Sequence, residues 1–92
     1  METDFVIMRR VKMKQVIIYS QETCAPCHEE KLWLKENGIQ FEDRDIRRND
    51  QYLQELIELG ASSTPVTIIK DGDHEEFILG FDRTKFAEIL GI

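Results

Sequence analysis

Val16-Ile17-Ile18-Tyr19 places β-branched and aromatic side chains at four consecutive positions, with no polar residue between them. A strand with one wet face alternates apolar and polar, so an unbroken apolar run this short asks for cover on both faces. It predicts a central strand, and such a strand commits the chain to helices packed above and below a sheet. The downstream sequence supplies them. Cys27 to Asn37 is rich in Glu, Lys and Leu and meets Gly38 where a left-handed C-terminal cap falls, which predicts a first helix. Ile39-Gln40-Phe41-Glu42 alternates as a second strand. Asp50 to Leu59 reads as a second helix stopped by Gly60, with Leu53, Leu56 and Ile57 on its inner face. Pro65-Val66-Thr67-Ile68-Ile69 reads as a third strand, Asp71-Gly72 as its turn and Phe77-Ile78-Leu79 as the returning strand. Asp82 suits the N-cap of a last helix in which Phe86, Ile89 and Leu90 fall at i, i+3 and i+4.

The predicted order is βαβαββα. A strand–helix–strand unit crosses over right-handed and pairs parallel, whereas the Asp71-Gly72 hairpin is antiparallel. The expectation is therefore an α/β fold with a four-stranded mixed sheet and helices on both faces. Ninety-two residues suit one such domain. It is expected to occupy residues 13–92, leaving Met1 to Lys12 as an extension in which Phe5-Val6-Ile7-Met8 is an added edge strand, a partner contact or part of a loose tail.

Charge and the N-terminal sequence narrow the chemistry. Eighteen acidic against twelve basic residues give a net charge of -6, which disfavours nucleic acid and anionic membrane partners. The opening METDFVIMRRVKMK lacks the continuous apolar stretch of a signal peptide or spanning helix, so a cytoplasmic protein is expected. In that reducing compartment two cysteines read as catalytic, metal-binding or packing residues rather than as a structural bridge. They are Cys24 and Cys27, in Thr23-Cys24-Ala25-Pro26-Cys27 between the first strand and first helix. Random placement rarely gives that spacing. Cys24 is expected just before the helix, where unpaired N–H groups and the dipole favour a thiolate that attacks first. Cys27, inside the first turn and more buried, resolves the mixed disulfide, and Pro26 fits a turn that needs no N–H from it.

Strand, CxxC, helix, then Thr64-Pro65 opening a strand and Gly80 before the last helix: this series resembles the thioredoxin superfamily, in particular glutaredoxins and the glutaredoxin-like NrdH redoxins. The resemblance covers Lys14 to Ile92. It implies a thioredoxin-like fold of the glutaredoxin type, with Ala25, Pro26, Thr64 and Pro65 supporting the active site. It also implies that Pro65 is a cis-proline facing the CxxC, and that the Thr64 backbone pairs with an extended substrate. Gln21, Val66, Gly80, Phe81 and Asp82 become the candidate substrate or glutathione contacts. Glutaredoxins typically carry Cys-Pro-Tyr-Cys, a lysine three residues before the first cysteine and a Gly-Gly pair before the last helix. Here Ala25-Pro26, Gln21 and Gly80-Phe81 stand at those places. Gly80-Phe81 is similar to the Gly-Phe of NrdH redoxins, which take electrons from thioredoxin reductase and supply ribonucleotide reductase. Ile78-Leu79 and Asp82-Arg83-Thr84 depart from the remainder of the NrdH signature.

Other chemistries fit the same residues less well. Cys24-Ala25-Pro26-Cys27-His28 matches the c-type haem attachment motif, but no methionine follows Met13 to supply a second axial ligand, leaving only His74. A zinc site would draw on Cys24, Cys27, His28 and His74, with Cys27 and His28 awkwardly adjacent. An iron–sulfur cluster shared between two chains generally needs glutathione ligands. Trp33 reads as a packing residue, and Arg44, Arg47 and Arg48 as a solvated loop that could instead hold a carboxylate. The expectation is thus a monomeric dithiol thiol–disulfide oxidoreductase acting on protein disulfides. It would hold no bound cofactor or metal and draw electrons from thioredoxin reductase and NADPH, or from glutathione. The alternative is a non-enzymatic redox-sensing or metal-binding module using the same cysteines.

Overall fold

A computed structural model describes residues 14–92. Its elements are β1 (Gln15–Ser20), α1 (Ala25–Glu36), β2 (Glu42–Asp45), α2 (Asp50–Glu58), β3 (Val66–Asp71), β4 (His74–Leu79) and α3 (Arg83–Leu90). The predicted order is thereby found, while Met1 to Lys12 and the Phe5-Val6-Ile7-Met8 strand lie outside the described residues. Strands run β2-β1-β3-β4 across one sheet, with β1 parallel to β2 and antiparallel to β3, and β3 antiparallel to β4. Consequently β1 has a strand on each side and a helical layer on each face. Every residue from Val16 to Ser20 is buried, as the apolar run requires.

The alternation along β1 and β3 sorts the core into two layers. Val16, Ile18, Ile69 and Ile78 pack with Leu34 of α1 and Phe86 of α3. On the other face Ile17, Tyr19, Val66 and Ile68 pack with Leu56 of α2. Both layers draw on β1, whose C-terminal end leads into the CxxC loop.

Three expectations are corrected. The second strand is Glu42–Asp45 rather than 39–42. Ile39 is taken by the end of α1: Gly38 adopts φ 71°, its N–H donates to Lys35 O, and the Ile39 N–H donates to Leu34 O at 2.9 Å. That double bond is the Schellman arrangement, and it places the Ile39 side chain against the core before any strand can start. On α2 the inner face holds Leu56 and, one turn earlier, the half-buried Tyr52; Leu53 and Ile57 are exposed. A residue next to Tyr52 or Leu56 is rotated about 100° away on a 3.6-residue helix, so two adjacent apolar pairs cannot both face the sheet. Helix α1 also begins at Ala25, two residues before the predicted Cys27 start, because Cys24 itself caps it.

Candidate functional site

The β1 strand delivers the chain to a tight loop in which the Cys24 N–H donates to Gln21 O at 3.2 Å. Cys24 then takes extended dihedrals (φ -100°, ψ 108°) as the N-cap of α1, and its Sγ accepts from the Cys27 N–H at 3.2 Å. A sulfur is standing where a serine or aspartate oxygen usually stands. Pro26 follows within the first turn, where no backbone acceptor waits for an N–H. Cys24 and Cys27 are joined as a disulfide, with Cα atoms 5.3 Å apart. Their surroundings differ: Cys24 is partly exposed, whereas Cys27 is fully buried.

Opposite the disulfide, the Thr64–Pro65 peptide is cis. Thr64 O lies 3.7 Å from Cys24 Sγ, and Thr64 Oγ1 accepts from Gln21 Nε2 at 3.1 Å. Pro65 O accepts from the Gly80 N–H at 2.9 Å, tying the end of β4 to the same corner. Val66 starts β3 here, its side chain buried and its Cα paired with Leu79. Gln21, Cys24, Thr64, Pro65, Val66 and Gly80 are therefore drawn together around the disulfide, and Ala25 and Pro26 lie exposed at its rim.

Phe81 and Asp82 are committed elsewhere. Phe81 packs edge-on against Trp33 with ring centres 5.9 Å apart, contacts Phe86 at 6.2 Å and carries the Arg83 guanidinium at 5.3 Å. Asp82 caps α3 by accepting from the Lys85 N–H at 3.1 Å. Trp33 is a packing residue, as its sequence position suggested. His28 is exposed, its Nε2 2.6 Å from Glu22 O. Arg44 is a correction: it lies within β2, not in a solvated loop. Its Nε donates to Glu42 at 2.6 Å and its Nη1 to Tyr19 Oη at 2.8 Å and Glu55 Oε1 at 2.9 Å. Arg47 and Arg48 do remain exposed.

One helical turn beyond Cys27, α1 buries a polar group that was not among the expected site residues. Glu30 is fully buried and accepts from the Thr67 hydroxyl of β3. Burial pushes its carboxyl up to about 7, against the opposing pull of the Thr67 hydrogen bond and the Lys31 charge. The signal was present as spacing: Cys27, Glu30 and Leu34 fall at i, i+3 and i+7 on one helix face. Nearby, Asp43 of β2 accepts from Ser20 Oγ and from Lys31 Nζ at 2.8 Å. Burial works to raise that carboxyl, but the two hydrogen bonds and the lysine charge hold it below its ordinary value. Among the described residues no group of three or more His, Cys, Asp or Glu side chains is disposed to hold a metal, and no helix is long and apolar enough to cross a membrane.

Comparison with known proteins places this geometry in context. The family model described as Glutaredoxin matches residues 16–75. Over 84 residues the chain is 32% identical to the Gene 56 protein of Mycobacterium phage D29, covering 88% of each. It is 36% identical over 56 residues to the glutaredoxin-like protein NrdH of Lactococcus lactis, covering 61% of this chain and 76% of that one. Among solved structures, the glutaredoxin of Methanosarcina mazei superposes with a TM-score of 0.71 at 28% identity, over 85% of this chain and 79% of that one.

Proposed function

The chain belongs to the glutaredoxin family, and on that premise we propose that it reduces protein disulfides by a two-cysteine exchange through Cys24 and Cys27. Cys24 attacks as the thiolate. One sulfur–sulfur bond of the substrate breaks as the Cys24–substrate bond forms, and the substrate's other sulfur leaves as a thiolate. Cys27 then attacks Cys24 Sγ, releasing the second substrate thiolate and closing the intramolecular disulfide. Two electrons have passed to the substrate, and a reductant must return them.

The observation that carries this reading is the unequal placement of the two sulfurs. Cys24 is accessible and stands at the N-cap of α1, where the Cys27 N–H and the helix dipole favour negative charge. Cys27 is buried behind it and can meet only a sulfur already attached to Cys24. Thr64 is assigned to pair its backbone with an extended substrate, with Pro65 fixing its direction and Ala25 and Pro26 shaping the rim. Gln21, Val66 and Gly80 border the same corner, and Phe81 and Asp82, through aromatic packing and helix capping, hold the segment that follows Gly80 in place. A disulfide of a protein such as ribonucleotide reductase is the proposed substrate class. The proposed protein works in the cytoplasm as a monomer without a bound cofactor.

Thioredoxin reductase with NADPH is the proposed electron source in preference to glutathione. Gln21 occupies the place of the glutaredoxin lysine and Phe81 that of the second glycine, so two features associated with glutathione are missing. NADPH consumption during reduction of a model protein disulfide tests the whole reading. Turnover is expected with thioredoxin reductase and should exceed that with glutathione and glutathione reductase. Faster turnover with glutathione would reverse the donor assignment, and turnover with neither would reject the reductase reading in favour of a sensing module.

A further inference from the structure

Helix α1 buries three side chains: Cys27, Glu30 and Leu34. A carboxyl in that company is costly, because a buried charge needs pairing and a buried polar atom needs a hydrogen bond. Glu30 Oε2 has the Thr67 hydroxyl. Oε1 has nothing: among the described residues it is the one buried side-chain nitrogen or oxygen without a hydrogen-bond partner. An orphaned acceptor of this kind calls for an account of what it serves.

Its position gives one. Cα–Cβ bonds of a helix lean toward the N-terminus, so a residue covers the turn before its own, and Glu30 therefore covers the turn carrying Cys27. From the sheet side Oε2 is anchored by Thr67, three residues along the chain from Thr64, whose carbonyl faces Cys24. In the disulfide state Cys27 has no proton to offer. Once reduced it gains an S–H on the same buried face, one turn from an acceptor that lacks a donor.

We propose that Glu30 is the proton acceptor for Cys27 during resolution of the mixed disulfide. This rests on the resolving role given to Cys27 above. The Cys27 S–H bond breaks and its proton passes to the Glu30 carboxylate. The resulting thiolate attacks Cys24 Sγ, the Cys24–Cys27 bond forms, and the Cys24–substrate bond breaks with the electron pair leaving on the substrate thiolate. The step ends with one disulfide, one substrate thiolate and one neutral Glu30 carboxyl. On re-reduction the proton returns to Cys27.

The surroundings suit a group that both takes and returns a proton. Ile18 and Ile78, the cross-strand neighbours of Thr67, are apolar, and Phe86 of α3 fills the same layer. The charged groups are Lys31, on Glu30's own helix, which favours the carboxylate, and Asp43 on β2, which is already held by Lys31 and Ser20. Burial outweighs them, and with its midpoint at about 7 Glu30 is present in both forms at neutral pH.

Stopped-flow reaction of the reduced full chain with dithionitrobenzoate tests the proposal. It releases one thionitrobenzoate when Cys24 attacks and a second when Cys27 resolves. The second phase of the unaltered protein should rise through an inflection near neutral pH. Glu30→Gln should slow that phase at least about tenfold at pH 7 and abolish the inflection, leaving the first phase unchanged. An unchanged second phase and pH profile in Glu30→Gln would overturn the proposal while sparing the role of Cys27. Absence of a second phase in the unaltered protein would overturn both. Carbon-13 titration of the Glu30 carboxyl in the unaltered protein reads the same link without a substitution. Its midpoint should differ between the oxidised and reduced states, and equal midpoints would overturn the proposal.

Discussion

Each face of the sheet carries a carboxyl-bearing cluster, and the two are built differently. On the α2 face, Tyr19 Oη donates to Glu55 Oε1 at 2.8 Å while accepting from Arg44, and Arg44 also reaches Glu42 and lies over the rings of Tyr19 and Tyr52. Opposite charges and hydrogen bonds there hold Glu55 below its ordinary value, the Tyr19 hydrogen bond foremost. On the α1 face Glu30 has no cation bonded to it, one hydroxyl as donor and one oxygen unsatisfied. A closed network fixes structure; an open one retains a proton site. The open one lies one helical turn from Cys27, on the same buried face of α1.

The largest expected effect separates the two clusters by pH. The folded protein keeps the Glu30 proton up to about 7, whereas the unfolded carboxyl releases it near 4.5. Between those values the native state binds more protons than the unfolded state, so Glu30 makes stability fall as pH rises, by up to about 3 kcal/mol, with no further fall above the folded midpoint. Asp43 and Glu55 have lowered values, so the stability they contribute is lost only at more acid pH, as they protonate. Urea unfolding of the oxidised protein at pH 5 and pH 8 should therefore show the decline, and Glu30→Gln should flatten it. A slope that survives the substitution would mean that another group carries it.

A smaller effect is expected from opening the closed cluster. Arg44→Met keeps much of the side-chain volume but removes the donors to Glu42, Tyr19 and Glu55, and should cost about 1–2 kcal/mol. The loss should shrink at high salt, since the cluster is only partly buried. Both phases of the dithionitrobenzoate reaction should keep their rates and pH profiles. A change in the second phase would show that the faces are coupled and would dissolve the contrast drawn between them.

How much of this was legible in the sequence follows from where each signal resides. The apolar run at Val16 to Tyr19, the glycine stops and the Asp71-Gly72 turn are local, and they yielded the element order. The CxxC could be placed at the head of a helix from sequence because an N-cap is set by neighbours in the chain. The cis Thr64–Pro65 bond came only with the resemblance, since the residues alone favour a trans proline. Glu30 went unread because its meaning depends on Thr67, thirty-seven residues away in sequence. Arg44 was misplaced with the loop for the same reason: its partners Tyr19 and Glu55 belong to other elements. The second strand was displaced by Ile39, whose apolar character served a helix cap rather than a strand.

The smallest expected effect probes what docks α2 to the sheet. Apolar spacing alone cannot distinguish an inner face of Leu53, Leu56 and Ile57 from one of Tyr52 and Leu56, because every one of these residues is apolar or aromatic. The structure leaves Ile57 55% exposed and Leu56 3% exposed, which assigns the docking contact to Leu56. Ile57→Lys removes little packed surface, introduces a helix-compatible side chain and should change stability by no more than about 0.5 kcal/mol in urea unfolding. A loss several times larger would mean that Ile57 is buried in solution, either under the core layer or against another protein surface. Dilution distinguishes these cases. A cost that persists in dilute protein would return Ile57 to the core and shift the helix face about 100° toward the arrangement expected from sequence, whereas one that disappears would locate a contact between chains.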